Sequence, residues 1–166
     1  MPWVRSTLEQ GFLGTEGQRR LVASLPCDKE VWPGVEELDE ALSRTYWENV
    51  SVFQINNEVL DILLEYGCAA QAIALLSRMI DVEQKPKASQ VVRALSLWCE
   101  SRECGENTAS SYEAEELLTW LESEAGDHPD LPTLEFRLLA CGHDLTPSDA
   151  LYRILGREPG RFAALV

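Results

Sequence analysis

The stretch Asn56-Asn57-Glu58-Val59-Leu60-Asp61-Ile62-Leu63-Leu64-Glu65-Tyr66-Gly67-Cys68-Ala69-Ala70-Gln71-Ala72-Ile73 decides the fold class. Val59, Leu60, Leu63 and Tyr66 recur at the spacing of one helix face, and the period-two alternation of a strand is missing. Asn56 is placed to cap this helix, and Gly67 to end it in a left-handed conformation. A second helix follows at once through Ala72, Ile73, Leu76 and Ile80, as far as the break at Lys85-Pro86. Helix, glycine stop, short turn and helix together describe an antiparallel helical hairpin.

The same punctuation extends in both directions. Upstream, Pro33-Gly34 precedes Val35, Leu38, Leu42 and Tyr46 on one face, and Thr15 to Leu25 carries Leu21, Val22 and Leu25 ahead of Pro26. Downstream, Ser89 opens a segment through Val92, Leu95, Trp98 and Cys99, and Ser110-x-x-Glu113 reads as a capping box before Leu117, Leu118 and Leu121. Leu134, Leu138 and Leu139 stop at Gly142; Thr146-Pro147-Ser148-Asp149 then starts a helix with Leu151, Ile154 and Leu155, closed by Gly156. The reading is an all-α protein, one acidic domain over 1–166. Its seven to eight helices form stacked antiparallel hairpins, as an irregular bundle or a short repeat-like array. Residues 1–34 are the least defined part, where an isolated two-strand element stays open. The 56–86 hairpin is similar in architecture to a tetratricopeptide hairpin, without that family's signature Trp, Gly and Pro positions.

Charge narrows the function classes. The 166 residues hold 28 acids against 14 bases, a net charge of −14. Direct nucleic-acid binding is excluded, because phosphate contacts require clustered Lys and Arg, and the same repulsion disfavours an anionic membrane. An apolar fraction of 45% is too high for a disordered acidic tail. Val59 to Leu76 is interrupted by Asp61, Glu65 and Gln71, so it does not read as a membrane span. Met1 to Gln10 has no apolar signal core, and a cytoplasmic location is expected.

The excess charge is not spread evenly. Residues 35–66 have eight acids and one base, residues 106–135 have nine acids and no base, and the remaining segments are nearly balanced. On the helical wheel at about 100° per residue, Trp47 falls beside Glu36 and Glu40, opposite Leu42 and Tyr46. In the second block Trp120 falls toward Glu113, Glu116 and Glu124, off the arc of Ala114, Leu117, Leu118 and Leu121. A tryptophan ringed by carboxylates suits a basic protein partner: the aromatic ring supplies buried contact and the acids speed encounter. These seven residues are the candidate partner-binding set, and for Trp47 and Trp120 the alternative is packing on a neighbouring hairpin. The expected function is a non-catalytic binding module that neutralises or escorts a basic protein, in the manner of a toxin-immunity protein or a secretion chaperone. The alternatives are a helical-repeat adaptor or scaffold that binds a peptide, and an acidic DNA-mimic inhibitor.

No residue set nominates a reaction, so no catalytic residue, cofactor or metal is assigned and the chain is read as not an enzyme. Both histidines, His128 and His143, sit in turns. Gly11 to Gly17 lacks the Gly-Lys-Ser/Thr ending of a phosphate loop. Cys99, Cys104, Cys141 and His143 could in composition hold zinc, but their spacings match structural zinc motifs poorly. Five cysteines, an odd number without regular spacing, read as free buried thiols.

Overall fold

The structure, a computed structural model, describes residues 2–9, 12–50, 56–102, 104–106, 109–157 and 160. Gly11 of the glycine-rich stretch lies outside the described residues. Ten helices and no strand occur among those described: α1 (Pro2–Glu9), α2 (Thr15–Ala23), α3 (Trp32–Glu36), α4 (Glu40–Asn49), α5 (Asn57–Glu65), α6 (Ala69–Asp81), α7 (Ala88–Glu100), α8 (Ala109–Ala125), α9 (Leu131–Ala140) and α10 (Asp149–Arg157). The chain is all-helical, as its periodicity predicts, but with ten helices in place of seven to eight.

The two extra helices have identifiable causes. α1 is a short N-terminal helix opening on Pro2, in a stretch without a long apolar stripe. α3 is a five-residue helix that contains Pro33 and Gly34, the residues read from sequence as a break. Proline fits there because it occupies the first turn, where its missing N–H is not needed. The helix expected to run from Val35 through Tyr46 is therefore two. Asp39 restarts it, its carboxylate accepting the Leu42 N–H at 2.9 Å as an N-cap.

By contacts the chain divides into two compact units, Met1–Asn56 and Asn57–Val166. In the first, α4 packs on α2 and on α3, so that Leu42, Ser43, Tyr46 and Trp47 are all buried. Ser43 gives its hydroxyl hydrogen to the Val35 carbonyl at 2.8 Å, and Tyr46 gives its own to the Pro26 carbonyl at 2.8 Å. These two buried hydroxyls thus remain paired while the aromatic rings fill the interior.

In the second unit each helix packs on the next, from α5 to α10, and α6 also meets α8 while α7 meets α5 and α9. The stripes read from sequence form this core: Val59, Leu60 and Leu63 from α5, Ala72, Ile73 and Leu76 from α6, Leu95 and Trp98 from α7, and Ala114, Leu117, Leu118 and Leu121 from α8 are buried. Each large aliphatic side chain so enclosed contributes about 1.5–3 kcal/mol relative to exposure. Two polar ties orient α7 on α5: Gln90 Nε2 donates to Asp61 Oδ1 at 2.9 Å, and Arg93 Nη2 donates to the Leu64 carbonyl at 3.1 Å.

Helix ends are less legible than helix faces. Gly67, with φ of 70°, ends α5 as expected, and the Cys68 N–H returns to the Leu63 carbonyl at 2.9 Å. The Ser110 capping box does not form, because α8 already begins at Ala109. Gly156 lies inside α10 instead of closing it. The cap of α10 is Ser148 in place of Thr146: Ser148 Oγ accepts the Leu151 N–H at 3.1 Å. Ser148 is in turn held by Glu135 of α9, which is 1% exposed and accepts both the Ser148 N–H and its hydroxyl, the latter at 2.6 Å. A buried carboxylate thus fixes the start of α10 to α9. Glu135→Ala removes two charge-assisted hydrogen bonds, so the unfolding free energy should fall by roughly 2–3 kcal/mol. Hydrogen exchange should show α10 losing protection first. A fall below about 0.5 kcal/mol in chemical denaturation would show that α10 docks without this tie.

Candidate functional site

Three segments of the second unit converge on a buried indole. Trp98 near the end of α7 is fully buried, and its Nε1–H must find an acceptor away from water. That acceptor is His143 Nε2, at 3.5 Å. His143 reaches it because α9 ends in a paired-carbonyl C-cap. Gly142 at φ 91° allows the chain to reverse, its N–H bonds the Leu139 carbonyl at 3.0 Å, and the His143 N–H bonds the Leu138 carbonyl at 3.1 Å. The side chain of His143 is left 2% exposed, with Nδ1 at 3.0 Å from Glu115 Oε1 of α8. Since an indole nitrogen only donates, Nε2 accepts and Nδ1 carries the proton given to Glu115. With both nitrogens engaged, His143 braces the junction and offers no free lone pair for acid–base work.

Above this junction lies a cleft of about 380 Å³, lined by Glu106, Glu115, Asp144, His143, Ser111, Tyr112 and the glycines 105 and 142. Its three carboxylates come from three segments: the turn before α8, the body of α8 and the loop after α9. No Lys or Arg lines it among the described residues. Tyr112 is 69% exposed, an amphipathic ring beside the acids. Ser111 secures one wall by donating its hydroxyl to the Glu106 carbonyl. What the arrangement can do is accept a cation that donates hydrogen bonds, such as an ammonium or guanidinium group.

The seven residues singled out in the sequence are not gathered into this cleft. In the first unit Glu36 and Glu40 are exposed, and Glu40 sits in the first turn of α4, where its charge suits the helix dipole. Trp47 is 0% exposed, contrary to its expected place among carboxylates. Its ring lies 4.8 Å from that of Tyr46 and 5.9 Å from that of Trp32, centroid to centroid. Val35 and Leu38 lie before the restart at Asp39, so they share no face with α4, whose buried stripe runs through 42, 43, 46 and 47. In the second unit Glu116 and Glu124 are exposed, while Glu113 and Trp120 are half-buried. Bases from the balanced segment temper this face. Lys85 Nζ is 2.8 Å from Glu124 Oε2, and Arg78 lies near Glu113.

Even so, burial raises the pKa of Glu113 above 4.5, and Glu116 and Asp81 push the same way against Arg78. Such a carboxyl stabilises the fold in its protonated form. Its contribution is complete below about pH 4.5 and is lost as the pH rises through the elevated value. Glu113→Gln should therefore raise the denaturation midpoint near neutral pH and change nothing below about pH 4. A lower midpoint at neutral pH would mean that the attraction of Arg78 dominates.

The sequence missed Glu106, Tyr112, Glu115 and Asp144, and treated His143 as a plain turn residue. The available signal was Leu138-Leu139-x-x-Gly142-His143, a glycine stop that delivers the next residue back onto the helix. It does not reveal a partner 28 residues away. Cys99, Cys104 and Cys141, separated in sequence, are brought together. Burial, with Cys141 adding to it, pushes the Cys99 thiol up to about 12. The Cys104 thiol is also pushed up, first by burial and then by contact with Cys141 and Cys99. His143, turned toward Trp98 and Glu115, does not complete the zinc set considered from composition. Among the described residues no group of three or more His, Cys, Asp or Glu is arranged to hold a metal ion, and no helix is long and apolar enough to cross a membrane. No protein-family model, curated protein or solved structure matches the chain.

The His143 junction makes a direct energetic claim. Glu115→Ala leaves a buried imidazole N–H without its acceptor and should lower stability by roughly 1–3 kcal/mol. Glu116→Ala, one position along and exposed, should stay within about 0.5 kcal/mol. Equal effects in urea titrations of the two variants would show that the Glu115–His143 bond contributes nothing.

Proposed function

We propose that this protein is a non-catalytic binding module for a basic protein, which it neutralises or escorts as a toxin-immunity protein or a secretion chaperone does. The observation that supports this most is the cleft between α8 and the loop after α9: three carboxylates and an exposed tyrosine, with no Lys or Arg among the described lining residues. A Lys or Arg side chain entering it exchanges water for charge-assisted hydrogen bonds, and its alkyl stem lies against Tyr112. The burial of Trp47 moves the proposed contact away from the Glu36–Glu40 surface and toward Glu106, Glu115 and Asp144. Trp120, half-buried beside Glu116 and Glu124, is a secondary contact in this reading. The cytoplasm is the proposed compartment.

A second reading, a helical-repeat adaptor for a peptide, draws support from the sequential packing of α5 through α10. That order is what stacked antiparallel hairpins produce. It differs in its dependence on salt, since a peptide held by apolar contacts is nearly insensitive to ionic strength.

Fluorescence anisotropy with a labelled hexa-arginine peptide separates these readings. Removing two charges in the cleft, with Glu106→Gln and Asp144→Asn together, should weaken binding about tenfold, the equivalent of about 1.4 kcal/mol. Removing two charges elsewhere, with Glu36→Gln and Glu40→Gln together, should change it less than about twofold, because only screened long-range attraction is lost. Binding should weaken steeply with added salt. Equal losses in the two double variants would reduce the interaction to net charge and sink the cleft as the contact site.

A further inference from the structure

The three thiols behind the cleft have no part in that binding, and their placement suits a different chemistry. Cys99 lies in the last turn of α7, Cys104 in the turn that follows, and Cys141 at the C-cap of α9. The Cys104 sulfur is within hydrogen-bonding reach of both other thiols. The backbones meet as closely as the side chains: a Cβ built on Gly105 would lie 2.4 Å from the Cys141 carbonyl oxygen. All three are free cysteines, none fully buried, so a small oxidant can reach them.

We propose that Cys104 and Cys141 form a reversible disulfide on oxidation by a hydroperoxide, a covalent modification that ties the turn after α7 to the end of α9. Cys104 is the attacking residue, because its sulfur lies within reach of both other thiols and a sulfenic acid there meets a resolving thiol at once. As thiolate, its sulfur attacks one oxygen of hydrogen peroxide; the O–O bond breaks, the other oxygen takes up a proton and leaves as water, and Cys104 becomes a sulfenic acid. Cys141, giving up its proton, attacks that sulfur; the S–O bond breaks and a second water leaves. Two thiols and one peroxide become one disulfide and two waters. Cys99 is the poorer partner, since it is held in regular helix. The elevated thiols also set the speed. Only a small thiolate fraction exists near neutral pH, so the bond forms under sustained oxidation and faster at higher pH.

The bond would join the residues immediately preceding Gly105 and Gly142, both of which line the cleft. Oxidation therefore fixes the cleft walls. This consequence rests on the binding reading above, whereas the disulfide itself does not.

The test treats the intact chain with excess hydrogen peroxide, alkylates it under denaturing conditions and maps the linked peptides by mass spectrometry. The expected product is an intrachain Cys104–Cys141 link, lost on treatment with dithiothreitol, with a formation rate that rises about tenfold per pH unit above neutrality. Cys104→Ser and Cys141→Ser should each abolish it, and Cys27→Ser and Cys68→Ser should leave it intact. Sulfinic acid at Cys104 without a link, a link to Cys99, or links between chains would overturn the proposal. Hexa-arginine affinity of the oxidised protein should differ at least about threefold from that of the reduced one. A mapped link with unchanged affinity refutes its action on the cleft and leaves the bond standing.

Discussion

A fully buried indole N–H is costly to leave without an acceptor, and much of the second unit follows from how that of Trp98 is satisfied. The acceptor comes from beyond the end of α9, so the helix must stop and reverse where Gly142 stands. The imidazole that arrives then has one nitrogen to spare, and Glu115 of α8 takes its proton. One indole thereby fixes the relation of α7, α8 and the chain after α9. The cleft is what is left open above this junction, and its acidity is inherited in part from the carboxylate that closes the chain of hydrogen bonds. Buried polar networks of this kind specify arrangement more than they add net stability.

Much of the fold was legible because it depends on local spacing. The buried sets of α5, α6 and α8 are those that the helical period marks, and Gly67 stops α5 where the sequence places the stop. What escaped depends on two things that a linear reading handles poorly. The first is the width of a buried arc: α4 starts anew at Asp39 and buries 43 and 47 beside 42 and 46, which carries Trp47 from an expected polar face into the interior. The second is long-range pairing. Glu115 with His143, Glu135 with Ser148 and the three thiols each join residues that no window contains together, so the cleft had no signature along the chain.

Charge illustrates the same limit. Counting by segment located two acidic blocks correctly, but it could not show that Lys85 and Arg78, from a balanced segment, lie against the acids of α8. The acids of the cleft, Glu106, Glu115 and Asp144, have no Lys or Arg beside them among the described lining residues. Glu122, near the C-terminal end of α8, also has a raised pKa, through burial and the nearby Glu135 charge. It stands at the negative end of the helix dipole, and the last turn of α8 carries no base. Lys85 reaches that end from another segment.

Gly105 carries two constraints at once. Its φ of 92° is a conformation other residues resist, and any side chain would begin 2.4 Å from a carbonyl oxygen of the backbone rather than from a yielding side chain. Position 105 is therefore closed to substitution for steric reasons, whatever the partner or the redox state. In a saturation library it should be among the least tolerant positions even though it is exposed and outside every helix. A survey that equates intolerance with burial would misread it as core. An evolving lineage could recolour the acids on either side of it, but only around a hinge-point whose shape it must keep.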